Sequence, residues 1–515
     1  MRLHIAGSTV SLLLLASHLS QAYHIPLFSR QDAIPNASNS TLITCLKPLG
    51  SKVLQRQTSS FESERYGFDL RYTYDPAVIV MASSAADVQV AVKCAKASNV
   101  AVAPRSGGHS FEGYSIGGQD GSLVIDLTAI SSVTVSGGRA KVGSGIRLGA
   151  LYLSLYNQGG YTINAGTCPS VGIGGHALGG GFGLLARKYG LLIDRIVEIE
   201  IVNANGDLLI ASATQNSDLF YALRGAGGGS YGVVTSFTIL PITPAPTVTS
   251  YTYDWKLSDY AGVLRAYVNF QATASKDIGV EMNIGPDGLE MYGTFQGNKA
   301  AQAAALAPFL KAAPKPSTSD IREGRHIDAQ LRFSYIAGDP KDINALALKS
   351  PYKPGDSRYT KGKSLVYPAV LKDSTIALLG KWAAKNPQGS TANYIIVDLW
   401  GGAVQDTSVD ATAFIHRDAH TVFEFVSEWD ENPNAKPGKK DCAGCLAWMN
   451  DMYAEFLTDF TANYGAVRGY QNYIDIDIPN WQDAYYGSAL TRLKQIKATS
   501  DPSNVFRFPQ SIPLK

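Results

Sequence analysis

The sequence is poor in charge. Asp, Glu, Lys and Arg make up 17% of its 515 residues, and 45 basic against 43 acidic residues leave a formal net charge of +2. No basic run is present, so the electrostatic footprint of a nucleic-acid binder is missing. Long apolar runs are missing too. Beyond the N-terminal segment no stretch approaches the eighteen or so apolar residues of a membrane span, so neither nucleic acid nor membrane is an expected partner. Cysteine is scarce and odd in number, at five residues. Cys442-Ala443-Gly444-Cys445 has no second CxxC and no His pair nearby, which disfavours zinc and leaves the motif to close a small disulfide or stay open. No internal repeat is found. With 45% hydrophobic residues and mean hydropathy −0.04, the composition is globular rather than disordered. At roughly 150 residues per domain, the length amounts to two to four units.

The N-terminus reads as a secretory signal peptide over residues 1–22. Arg2 gives the charged start, Ile5 to Ala16 the short apolar core, and Ser20-Gln21-Ala22 the small-residue cleavage site. A secreted, extracellular protein is expected, followed by a polar arm over 23–43 with sequons at Asn36 and Asn39. In an oxidising compartment structural cysteines pair. Cys45 with Cys94 is the natural pair, and Cys168 is left over.

Apolar alternation and turn residues predict an α+β protein. Strand, helix (85–97) and strand run from 76 to 102, and further strands fall at 122–127, 139–145, 196–212 and 231–241, the third of these folded at an Asn205-Gly206 hairpin. A helix is expected at 148–157. Pro241, Pro244 and Pro246 then mark a boundary. Beyond it, helices are expected over 257–273 and near 299–312, 340–348, 370–385 and 445–462. Strands are expected at 279–285, 289–296 and 394–402. The tail, Val505 to Pro513, returns to the first unit. The divisions are 44–243, 244–465 and 466–515.

Glycine is abundant, with 50 residues, about 10% where roughly 7% is usual. Gly227 to Gly232 matches both a dinucleotide-binding and a nucleophile-elbow pattern, but a helix precedes it and a strand follows, the reverse of what either motif needs. It reads as a turn. Two other segments carry chemistry: Arg105-Ser106-Gly107-Gly108-His109-Ser110, and the glycine-dense run from Asn164 to Gly183 that contains Cys168 and His176. Backbone N–H groups at such density close around an anion such as a pyrophosphate. A His in one segment and a Cys in the other are nucleophiles able to bond an electrophilic ring.

RSGGHS followed by GTCPSVGIGGHALGGGFG, with SDLFYALRGAGGGSYGVV, FIHR and YQNYID further on, resembles the berberine-bridge-enzyme-like branch of the vanillyl-alcohol oxidase flavoproteins over most of the chain. The resemblance implies a two-domain PCMH-type FAD-binding fold whose substrate domain is an antiparallel sheet plus helices. It implies FAD bound covalently by His109, at the 8α-methyl, and by Cys168, at C6, a linkage that fixes the ring and raises its potential. Arg105, Ser106, Gly107, Gly108, Ser110, Val171, Gly172, Gly174, Gly175, His176, Gly179, Val233, Tyr470 and Asn472 are then expected around the cofactor. Fungal carbohydrate oxidases fit the pattern best, which implies oxidation of an oligosaccharide's anomeric carbon to the lactone with O2 as acceptor, in a monomer. Tyr473 would be the base and Asp398 its partner, since a phenol of pKa about 10 needs a carboxylate's help at neutral pH. The alternative is an aromatic or secondary-metabolite alcohol on the same fold. Val171 would face the flavin's oxygen-reacting edge as a permissive small residue. Phe111 stands where such oxidases commonly carry Tyr. Trp255, Tyr292, Tyr394, Trp400 and Trp481 are candidate sugar platforms.

Overall fold

The computed structural model describes residues 36–336, 340–347, 357–429 and 442–515. The expected signal peptide lies outside the described residues, as do residues 23–35 of the polar arm and the side chains of Asn36 and Asn39. The end of that arm is helical instead, over Asn36–Leu46. Cys45 ties this helix to helix Ala85–Ala97 through a disulfide with Cys94. Cys442 and Cys445 also pair, and Cys168 is free.

Three sheets follow one another along the chain. The first has β1 (Val53–Leu54), β2 (Val78–Met81), β3 (Val102–Arg105) and β4 (Leu123–Asp126) in the order β1-β2-β4-β3. β2, β4 and β3 are parallel, and helix Ala85–Ala97 makes the crossover. Ser84 caps that helix by accepting the Asp87 N–H at 3.2 Å. Val78 and Val80 enter one apolar cluster and Ile79 another, so the strand is covered on both faces. Its uninterrupted apolar reading follows from that.

The second sheet has β5 (Val133–Ser136), β6 (Arg139–Gly143), β7 (Ile196–Val202), β8 (Leu208–Ser212) and β9 (Val233–Ile239) in the antiparallel order β5-β6-β9-β7-β8. The expected hairpin joins β7 to β8, with Gly206 at φ +76°.

The third sheet has β10 (Val248–Trp255), β11 (Ile278–Gly285), β12 (Gly288–Phe295), β13 (Thr318–Gly324), β14 (Tyr359–Tyr367), β15 (Ala392–Leu399) and β16 (Thr421–Trp429). Its order, β13-β10-β12-β11-β15-β16-β14, is antiparallel throughout. One face packs Ile395, Val397, Phe423 and Phe425 against helices Tyr260–Phe270, Lys299–Ala312, Asp373–Ala383 and Ala443–Tyr464. The period-two alternation of a strand turns Tyr394, Ile396, Asp398, Glu424 and Val426 to the other face, where they line a cavity.

The architecture is therefore the two-domain α+β arrangement expected. The sequence reading placed no strand at β1, β5, β10, β13, β14 or β16; β1 and β5 are too short to show a period, and in β13 and β14 polar residues hide the alternation. The helix expected over 257–273 begins as a turn at Leu257–Asp259, and the one at 340–348 shrinks to a single turn, Ile343–Leu346. The tail returns to the first sheet: the Val102 N–H donates to the Val505 carbonyl at 3.0 Å.

Candidate active site

The two glycine segments cross in van der Waals contact. A Cβ on Gly107 would lie 2.0 Å from the Gly172 nitrogen, and one on Gly172 would lie 2.0 Å from the Gly107 nitrogen. Only glycine at both positions permits the crossing. Ser106 fixes it: its Oγ accepts the Gly174 N–H at 3.1 Å and donates to the Ser144 carbonyl at 2.6 Å. At Gly175 the reverse holds. An added Cβ would meet no protein atom within 4 Å, and the space it would enter belongs to the cavity that Gly175 lines.

The crossing brings His109 and Cys168 onto one side chain. Ser170 Oγ lies 2.9 Å from His109 Nε2 and 3.3 Å from Cys168 Sγ. The His109 ring stacks on Phe68 with centroids 4.2 Å apart. Burial, and then the charge of Arg147, push its pKa down to about 3. It is held as a neutral imidazole with a lone pair to offer. His176 is likewise kept neutral by burial, at about 4, and its Nε2 accepts the Gly166 N–H at 3.2 Å.

The cavity measures about 760 Å³, within the usual range for cofactor and ligand sites. Its wall takes in the crossing, the Gly228-Gly229 turn, Arg507 and Phe508, and it also takes in Glu281, Asp398, Trp400 and Glu424 of the third sheet and its edge. Open backbone at Gly175, a free thiol and a neutral imidazole in one wall fit an extended, phosphate-bearing cofactor with an electrophilic ring.

At the third sheet the wall is acidic. Glu281 on β11 stands directly opposite Asp398 on β15, and Glu424 on β16 stands opposite Ile396. Like charges so placed repel. Burial and this mutual repulsion lift Asp398 well above the usual carboxylate range, burial lifts Glu281 to about 7, and burial with Glu281 lifts Glu424 to about 8. Tyr473 faces all three. After burial, Glu424 acts on its phenol most strongly, ahead of Asp398 and Glu281, and the two side chains make a hydrogen-bonding contact.

Tyr473 is placed by its neighbours. Phe111 and Phe182 flank its ring, with centroids at 6.4 and 6.2 Å. Tyr470 Oη accepts the Gly181 N–H at 3.1 Å and Asn472 Nδ2 at 2.8 Å, and the same Nδ2 donates to the His176 carbonyl at 3.0 Å. Two residues on, Asp475 is buried and accepts Lys361 and Lys363 of β14 at 2.7 and 2.9 Å. Lys361 also donates to Glu112 at 2.7 Å. This seam joins the first glycine segment, the third sheet and the C-terminal return.

Comparison with known proteins places these features in a lineage. Residues 76–212 match the FAD binding domain family, and residues 469–513 match the family described as berberine and berberine like. Xylooligosaccharide oxidase of Thermothelomyces thermophilus is 30% identical over 93% of this chain and 95% of its own. The structure of Physcomitrella patens BBE-like 1 superposes with TM-score 0.84 at 35% identity, covering 92% of this chain and 99% of that one. The glucooligosaccharide oxidase of Acremonium strictum, a 6-S-cysteinyl, 8α-N1-histidyl FAD protein, superposes with TM-score 0.81 at 28% identity over 92% and 99%. The chain belongs to the berberine-bridge-like FAD-linked oxidoreductases.

In this flavoprotein most of the residues singled out by sequence meet at the cavity: Ser106, Gly107, Gly108, His109, Ser110, Cys168, Val171, Gly172, Gly174, Gly175, His176, Gly179, Asp398, Tyr470, Asn472 and Tyr473. Two do not. Arg105 is wholly buried away from it, donating through Nε to Asp126 at 2.6 Å. Val233 points to the opposite side of β9, into the cluster with Val202 and Val505, and it is the flanking Gly232 and Val234 that line the wall. Among the platform candidates, Tyr394 and Trp400 line the cavity. Trp255 packs in the core under the helices, and Trp481 packs against the second sheet's core. Tyr292 acts through others, donating to Glu281 and meeting Tyr335 Oη at 2.7 Å.

Sequence reasoning missed Glu281, Glu424, Ser170 and Tyr335. It also dismissed Gly228 and Gly229, which lie in the cavity wall as well as forming a turn. Tyr335, with φ +57°, is strained in the way ligand-clamping residues often are. The available signal was a carboxylate at an alternate position of an otherwise apolar strand.

Proposed function

We propose that the protein is a secreted oxidase that holds FAD by two covalent bonds, at His109 and Cys168, and oxidises the anomeric carbon of oligosaccharides to the lactone. The single observation that carries the reading is the convergence of a neutral His109 and a free Cys168 on Ser170, in the cavity that also holds Tyr473. The same two residue types carry the flavin in the glucooligosaccharide oxidase described above, and the xylooligosaccharide oxidase relative supports the substrate class. Two structural disulfides suit an oxidising compartment, and no helix among the described residues is long and apolar enough to cross a membrane.

Bound FAD supplies the acceptor for the hydride of the carbinol C–H, and O2 takes the two electrons onward with two protons as hydrogen peroxide. The chain's part is the proton. Tyr473 accepts the hydroxyl proton, and the adjoining carboxyls, Glu424 first and Asp398 with it, carry the charge that a phenol alone sustains poorly at neutral pH. Asp398 is the partner expected from sequence, and the contact between Glu424 and Tyr473 supports a share for Glu424. Edge-to-face contacts with Phe182 and Tyr470 and a tilted one with Phe111 hold the phenol in one orientation, the positioning on which such catalysis depends.

Phe111 beside Tyr473, with Val280, Ile396 and Val426 in the wall, favours a second reading, oxidation of an aromatic or secondary-metabolite alcohol. A screen of oligosaccharides and benzylic alcohols for peroxide release decides between them. Turnover of sugars is expected. Turnover confined to benzylic alcohols would replace the first reading with the second.

A further inference from the structure

We propose that Glu281, Asp398 and Glu424 select a substrate carrying a protonated amine, so that among oligosaccharides this site takes amino sugars in preference to neutral ones. The inference rests on the oligosaccharide reading above. The three acids occupy neighbouring positions on one face of adjacent strands and line the same cavity. Ionised together they repel, and only protons or a cation among them relieves that. Among the described residues neither lysine nor arginine pairs with any of the three. Glu281 accepts from Tyr292, Glu424 has the contact with Tyr473, and buried Asp398 Oδ2 has no hydrogen-bond partner.

The cations of the cavity wall are engaged elsewhere. Arg358 pairs with Glu428 at 2.6 Å. Arg187 donates to the carbonyls of Trp400 and Ala274 at 2.6 and 2.8 Å, and Arg507 to those of Asn504 and Asn99 at 2.8 and 2.9 Å. A neutral sugar brings hydroxyl donors but no charge. A primary ammonium brings one positive charge and three N–H donors, matching three acceptors, and charge-assisted hydrogen bonds of this kind are about twice as strong as neutral ones. A 2-amino sugar places that ammonium one carbon from the anomeric centre.

The test is anaerobic flavin reduction in the purified holoenzyme at pH 7 by three β-1,4-linked disaccharides: that of glucosamine, that of N-acetylglucosamine, and cellobiose. The expected kcat/KM for the glucosamine disaccharide is about tenfold or more above the other two. In Glu281→Gln the ratio should fall to about threefold or less, and Asp398→Asn gives the same readout should the first variant fail to fold. Equal kcat/KM for all three sugars, or a ratio unchanged in both variants, overturns the inference alone. A flavin reduced by none of them overturns the oligosaccharide reading, and this inference falls with it.

Discussion

The glycine crossing and the acidic face of the third sheet line one cavity but are built from opposite materials. At the crossing the backbone does the work. Gly107 and Gly172 touch with no room for a Cβ, and burial with the charge of Arg147 keeps the His109 imidazole neutral. At the sheet the backbone is ordinary and the side chains decide, with Glu281, Asp398 and Glu424 crowded on one face and lifted by burial out of their usual ionisation range. The first region tolerates almost no change of shape. The second tolerates changes of shape better than changes of charge.

Gly172→Ala should have the largest effect. Its methyl would sit within 2.6 Å of three atoms of Gly107 and Ser106, an overlap that relaxes only by separating the two segments. Loss of stoichiometric flavin from purified protein, read by visible absorbance, is expected. Full flavin content would show that the crossing is not needed to hold it. Next comes Tyr473→Phe, which keeps the ring packing and removes the proton acceptor. Here kcat should fall by about 10²–10⁴-fold with the flavin still bound, and a loss of less than about threefold would move the role elsewhere.

A smaller effect is expected at Glu424. Because its carboxyl is raised to about 8, the accepting, ionised form grows as pH rises towards 8. Wild-type kcat/KM should therefore climb over pH 6–8 and level off above, and Glu424→Gln should flatten that limb. An unchanged limb in the variant would assign the titration to another group. The smallest change is Val171→Ile, where one added methylene in a tight wall costs about 1–3 kcal/mol. It should slow reoxidation by O2 while leaving anaerobic reduction nearly unchanged, as stopped-flow traces would show.

The same contrast explains what could be read from sequence. Glycine density and the His109 and Cys168 pair are local, so the crossing was legible from two short segments. Helix Ala85–Ala97 and the β7–β8 hairpin were legible for the same reason, since cap, apolar period and turn residues lie within a few positions of one another. The acidic face was only partly legible. Glu281, Asp398 and Glu424 lie on three strands whose adjacency exists only in the register of the third sheet, and β14 hides Lys361 and Lys363 among polar residues that become buried through partners more than a hundred positions away. Arg105 and Val233 failed for a related reason. Proximity to a motif does not tell which side of a strand a residue faces.

The central claim is that one flavin is bonded at the crossing and served by the acids opposite. Its most direct test is the fate of the flavin when the chain is unfolded. After acid precipitation the pellet should stay yellow, and a tryptic digest should yield a single flavin carrying both the His109 and the Cys168 peptides. FAD released wholly into the supernatant would contradict the account.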